Sequence, residues 1–147
     1  MPGIIVGIDG SHGSRRALEV AISEAVLRQV PLTVITVHQV VAGYSGHGVA
    51  FPGDDALADK ARQEAQAEVD SALANAGDTR PSSVTVRGVS GLPAEAILDA
   101  AKDADLIVVG SRGAGGFSRL LMGSVSSQVT HHADVPVLIV PPADRKP

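Results

Sequence analysis

The stretch LIVVGSRGAGGFSRLLMGSVSS, residues 106–127, decides the fold. Leu106, Ile107, Val108 and Val109 are a short apolar run of the kind buried in a parallel sheet. Ser124 to His132 reads as a short helix. Between them lies a glycine-rich loop. A strand, a glycine-rich loop and a helix start, in that order, make an anion site. Glycine lets the backbone approach a phosphate, and the free N–H groups of the first helical turn point at it. The pattern is Gly110, two residues, Gly113, nine residues, then Gly123 and Ser124.

Working outward, the rest of the chain alternates in the same way. Residues 4–8 form an apolar first strand ending in Asp9-Gly10-Ser11. A helix over 14–29, capped by Ser14, carries Ala17, Leu18, Ala21, Ile22, Ala25 and Val26 at helical spacing, and Pro31 stops it. Residues 32–37 are a second strand, and 41–54 read as a mobile loop. Residues 55–76 form an amphipathic helix with Leu57, Ala61, Ala65, Val69, Ala72 and Leu73 on one face, ended by Gly77. Residues 83–89 alternate apolar and polar, as an outer strand does. Pro93 opens a helix over 94–102. Strands at 106–109 and 136–140 flank the helix 124–132. A β-α repeat of this kind implies a doubly wound α/β fold with a parallel five-stranded sheet and helices on both faces.

Composition narrows the function. The 147 residues suit one domain, 1–141, with a flexible tail at 142–147. Aromatics are 2% of the chain and the net charge is -4, so the basic, aromatic surface of a nucleic-acid binder is missing. There is no cysteine, which excludes disulfides and thiol catalysis. No apolar run reaches the ~18 residues of a membrane span. The N-terminus enters a strand directly and lacks the regions of a signal peptide, so the expected location is cytoplasmic. The five histidines are not spaced as metal ligands. Neither GxxxxGK[ST] nor GxGxxG is present, and no serine sits in a GxSxG elbow.

In open parallel sheets ligands bind beyond the carboxyl ends of the strands, where the strand order reverses. The ends of strands one and four carry the turn-forming and polar residues. Two readings stand for Asp9: a turn residue before the helix, or a carboxylate that bonds ribose or holds Mg²⁺ against phosphates. Arg112 and Arg119 are either solvated or paired with a terminal phosphate. His131 and His132, in the last turn of the final helix, complement its dipole. Arg15 and Arg16 are expected to face solvent.

These parts together resemble the ATP-binding branch of the universal stress protein family. The similarity rests on Val6-Gly7-Ile8-Asp9-Gly10-Ser11, Gly91-Leu92-Pro93-Ala94-Glu95-Ala96, the run ADLIVVGSRG over 104–113, the Gly123-Ser124-Val125-Ser126 run, and VPVLIVP over 135–141. The resemblance implies strand order 3-2-1-4-5, an adenine nucleotide alpha hydrolase-like fold. It implies a cytoplasmic homodimer that holds ATP and Mg²⁺ in a stress response. Carried onto this sequence, the nucleotide-contacting positions are Ile8, Asp9, Ser11, Val37, Gly110, Arg112, Gly113, Gly123, Ser124, Val125 and Ser126. Val37 acts through its backbone on adenine, and Asp9 is the residue toward Mg²⁺. Two further classes stay open: a slow ATPase, and a dimeric scaffold for another adenine nucleotide such as cyclic AMP. No general base or nucleophile stands out, so no dedicated catalysis is expected. The edge strand 136–140 is the expected dimer contact.

Overall fold

Ile4, Val6 and Ile8 turn to one face of the sheet and Ile5 to the other, and this alternation organises the molecule. The computed structural model describes residues 2–39, 54–111 and 123–142. Among them run β1 (Ile4–Ile8), α1 (His12–Arg28), β2 (Leu32–Gln39), α2 (Asp54–Asn75) and β3 (Val84–Gly91). There follow α3 (Pro93–Ala100), β4 (Leu106–Gly110), α4 (Ser124–His132) and β5 (Val137–Val140). The strands form one parallel sheet in the order β3-β2-β1-β4-β5. The doubly wound topology expected above is the one observed.

Two cores lie against the two faces. On one, Ile4, Val6, Leu32, Val34, Leu106 and Val108 meet Ala17, Leu18, Ala21 and Ile22 of α1 and Ala65 and Val69 of α2. On the other, Ile5, Ile35, Ile107 and Val109 meet Ala94 and Ile97 of α3 and Val129 of α4. Small residues set the spacing. A Cβ at Gly88 of β3 would lie 2.4 Å from the Ala58 carbonyl oxygen of α2, so that helix packs backbone against backbone on the edge strand.

Three local expectations change. The cap of α1 is Ser11, not Ser14: Gly10, at φ +82°, turns the chain into the helix three residues early. Ser14 is buried in the first turn instead. Leu57 is exposed, at 49%, because the buried line of α2 passes through Ala58, Ala65 and Val69, about one residue's rotation away. β2 continues to Gln39, beyond the apolar run, because backbone pairing with β3 persists through His38–Ser90 and Gln39–Gly91. The loop expected at 41–54 lies outside the described residues except for Asp54, which opens α2, and so does the tail from residue 143.

Candidate functional site

β1 and β4 are hydrogen-bonded neighbours, with β2 and β3 on one side of them and β5 on the other. Chain order therefore reverses between β1 and β4. Their carboxyl ends form the switch-point crevice where open parallel sheets bind ligands. Two strand-to-helix corners meet it.

The β1–α1 corner is held by its own side chains. The Asp9 N–H donates to Ser14 Oγ at 3.1 Å, and the Ser11 N–H donates to Asp9 Oδ1 at 2.9 Å. Ser11 caps the helix, its Oγ accepting from the Ser14 N–H at 3.2 Å. The Ser14 hydroxyl donates back to the Ser11 carbonyl at 3.1 Å. Asp9 itself is exposed.

The β4–α4 corner is held by backbone. The Gly123 N–H donates to the Ser111 carbonyl at 2.6 Å, and the Ser111 N–H donates to the Val140 carbonyl at 2.9 Å. Gly123 is the cap of α4 and offers no side chain. The first helical bond runs from the Ser127 N–H to the Gly123 carbonyl at 3.0 Å. The N–H groups of Ser124, Val125 and Ser126 precede it, have no partner within the helix, and carry the positive end of its dipole.

Ile8 is buried, so only its backbone reaches the crevice. Val37 follows Thr36, the β2 partner of Ile8, and is half-buried against the α3 face. Gly110 ends β4 opposite Val140. Ser124 is exposed at the start of α4, and Val125 is half-buried. Ser126 is 2% exposed, its hydroxyl turned inward to the Ser111 and Gly123 carbonyls at 3.0 and 3.1 Å. Its side chain thus ties the corner together, and its N–H is the group left at the helix end. Arg112, Gly113 and Arg119 lie outside the described residues.

One pair at the edge of this site gave no signal in the sequence. Glu68 of α2 reaches toward α1, where its Oε1 lies 3.8 Å from Nε of Arg15. The Glu68 side chain is 16% exposed and that of Arg15 is 59% exposed. Glu68 Oε1 is buried and finds no hydrogen bond among the described residues. Burial pushes the Glu68 carboxyl above its ordinary pKa, the Arg15 charge pulls it down, and the Asp9 charge pushes it up again. Arg15 is therefore solvated, as expected, yet also faces a buried carboxylate.

Two other concavities lie away from the crevice. One, of about 130 Å³ near Lys102 and His132, is below the ~300 Å³ of ordinary ligand pockets. The other, of about 310 Å³ along β3 and α3, sets Arg87 against Glu95 and Asp99, a balance that disfavours phosphate. Among the described residues no group of three or more metal-ligating side chains converges, and no helix is long and apolar enough to cross a membrane.

The family model described as the universal stress protein family matches residues 2–141. Over 137 residues the chain is 39% identical to a universal stress protein of Mycobacterium tuberculosis, covering 92% of this chain and 44% of that protein. Over 140 residues it is 38% identical to a universal stress protein of Thermus aquaticus, covering 93% of this chain and 96% of that one. The chain spans about half the length of the mycobacterial relatives it matches. Among solved structures, the universal stress protein UspA of Lactobacillus plantarum superposes with a TM-score of 0.76 at 26% identity, covering 95% of this chain and 97% of that one. A universal stress protein in complex with cAMP gives 0.66 at 28%, covering 97% and 98%. An Archaeoglobus fulgidus universal stress protein in complex with dAMP gives 0.59 at 28%, covering 95% and 98%.

Proposed function

The chain belongs to the universal stress protein family, and from that premise we propose that it binds ATP with Mg²⁺ between β1 and β4 and acts as a dimeric, cytoplasmic switch in a stress response. The observation that carries this reading is the β4–α4 corner. It presents three N–H groups at a helix end with no side-chain cap, at the switch point of the sheet. The neighbours in complex with cAMP and dAMP support an adenine nucleotide as the ligand class.

In this reading the α4 amides bind phosphate oxygens, while Gly110 and Gly123 leave room for the ligand. The backbone of Val37 meets adenine. Asp9 is an exposed hard-oxygen donor suited to ribose hydroxyls or Mg²⁺. When bound, Mg²⁺ neutralises charge on the phosphates. Backbone amides, hydroxyls and one engaged carboxylate hold a triphosphate in its ground state. Fast transfer also needs a group that orients the attacking water. Hydrolysis is therefore slow, well below the ~10 s⁻¹ of a typical enzyme, and ATP serves as a bound signal. β5 is an edge strand whose Leu138 and Ile139 pack toward opposite faces. It supplies the contact for a two-fold dimer.

A second reading has cyclic AMP as the ligand, favoured by the cAMP complex of a neighbour. Native mass spectrometry of the purified protein tests both by giving the dimer mass and the mass of any retained nucleotide. Calorimetry with ATP, AMP and cAMP then ranks the ligands. A monomer that binds none of them overturns the proposal.

A further inference from the structure

α4 is a short helix with few anchors. Of its residues only Ser126 and Val129 are buried, about one turn apart. Val129 is fully covered in the core on the α3 face of the sheet and fixes the middle of the helix. Ahead of it Ser124 is exposed and Val125 only half-buried. The first turn therefore depends on the other buried side chain, which is polar.

The Ser126 hydroxyl lies 3.0 Å from the Ser111 carbonyl and 3.1 Å from the Gly123 carbonyl. A serine hydroxyl has a single proton to donate. Here two carbonyls share that proton, and the residue is 2% exposed. Donation to a phosphate oxygen would require both contacts to break. The hydroxyl is placed to hold the chain and not to bind a ligand.

It holds the point at which the chain returns to the sheet. The Ser111 carbonyl accepts from the Ser126 hydroxyl and also from the Gly123 N–H, the latter at 2.6 Å. Ser111 is itself fixed to the sheet. Its N–H donates to the Val140 carbonyl at 2.9 Å, and Gly110 before it pairs with Val140. One run of hydrogen bonds thus joins β5, the end of β4 and the cap of α4, and the Ser126 side chain takes part in it. Without the hydroxyl the helix keeps Val129 but loses a tie at its N-terminal end. A helix pinned at Val129 can then tilt. Tilting moves the N–H groups of Ser124, Val125 and Ser126 together, and hydrogen bonds weaken steeply as distance and angle change.

We propose that Ser126 is a positioning residue: its hydroxyl is a strut that, through Ser111, holds the first turn of α4 where its amides meet phosphate. This rests on the nucleotide reading of the crevice. It adds to that reading the side chain that aims the amides, and it takes the Ser126 hydroxyl out of the set of ligand groups.

Ser126→Ala tests the strut with two measurements. The first is residue-resolved amide exchange by NMR on the ligand-free protein, where the Gly123 amide should exchange about tenfold faster than in the wild type. The second is calorimetry with ATP and Mg²⁺ and with adenosine. ATP should bind about tenfold more weakly, the size of one weakened bond to a charged group, while adenosine keeps its wild-type affinity. Retained adenosine binding also shows that the variant is folded. Weaker ATP binding with an unchanged Gly123 amide would make the hydroxyl a direct phosphate ligand and overturn the proposal. A faster Gly123 amide with both affinities unchanged, or with both lowered alike, would leave Ser126 a role in the fold alone and also overturn it. Wild type that binds neither ligand overturns the crevice reading, and the strut with it. That failure is read in the wild type, whereas failure of the strut alone is read in the variant.

Discussion

The corners after β1 and after β4 have nearly the same backbone at the helix cap and opposite chemistry. Ser11 sits at φ -76°, ψ 163° and Gly123 at φ -68°, ψ 164°. At the first, a hydroxyl takes the Ser14 N–H and Asp9 takes the Ser11 N–H, so the corner answers its own donors. At the second, Gly123 has no side chain to cap the helix, and among the described residues no side-chain cap is seen. A helix end left uncapped beside a sheet switch point is prepared for an anion from outside. The comparison separates a corner whose cap is a side chain from one whose cap is backbone alone.

The strongest way to break that distinction is Gly123→Val. A branched side chain at the cap occupies the space in which a phosphate meets the α4 amides. Nucleotide affinity should fall by at least ~100-fold, about 2.7 kcal/mol. Gly123 is in an extended conformation open to any residue, so the melting temperature should move little. Equal affinities for mutant and wild type in calorimetry would remove α4 from the site.

The next effect belongs to the other corner. Asp9→Ala deletes one charged contact, worth about 1.5–3 kcal/mol, or roughly ten- to a hundredfold. If Asp9 acts through metal and phosphate, ATP should weaken and adenosine should not. If it holds ribose, both should weaken alike. Unchanged binding of both ligands would make Asp9 a turn residue alone.

How far the sequence led follows the same division. Apolar runs located four of the strands, because burial on two faces leaves a local mark in Leu106–Val109 and Ile4–Ile8, and alternation over 83–89 located the edge strand β3. The glycine cap of α4 was legible for a related reason: a strand, glycine and serine run is local. The cap of α1 was not, since Ser11 and Ser14 are both good caps three residues apart. Only the left-handed turn at Gly10 chooses between them. The line of α2 was misplaced at Leu57, because sheet contact with Gly88 fixes the rotation of that helix. Glu68 was invisible, since its meeting with Arg15 depends on how α1 and α2 pack, which no local pattern records.

Glu68 also marks where the self-contained corner carries a cost. Burial raises its folded-state pKa above the ordinary 4.5, with Arg15 opposing and Asp9 adding to the rise. Between 4.5 and the raised value the folded protein holds more protons than the unfolded chain, so stability falls as pH rises through that window. Glu68→Gln has no such loss. Its melting temperature should gain on the wild type as pH goes from 4 to 7, and the gap should narrow again in acid. A gap that does not vary with pH would show that burial of the Glu68 charge costs nothing.

The smallest effect is the most direct test of the comparison, because it exchanges the two caps. The backbones at positions 11 and 123 already match, so the exchange changes side chains and not path. Ser11→Gly removes the acceptor for the Ser14 N–H and should lower stability by a few tenths of a kcal/mol. Gly123→Ser should raise it by a similar amount, since its hydroxyl gains the Ser126 N–H. That same bond withdraws one donor from the crevice. Nucleotide should then bind several-fold more weakly to a protein that is slightly more stable, while Ser11→Gly should leave affinity almost unchanged. Opposite movement of stability and affinity at position 123, with neither linked at position 11, is the signature of a helix end kept open for a ligand. If Gly123→Ser stabilises the fold and binds nucleotide as tightly as wild type, the missing cap has no role in binding, and the two corners differ in sequence alone.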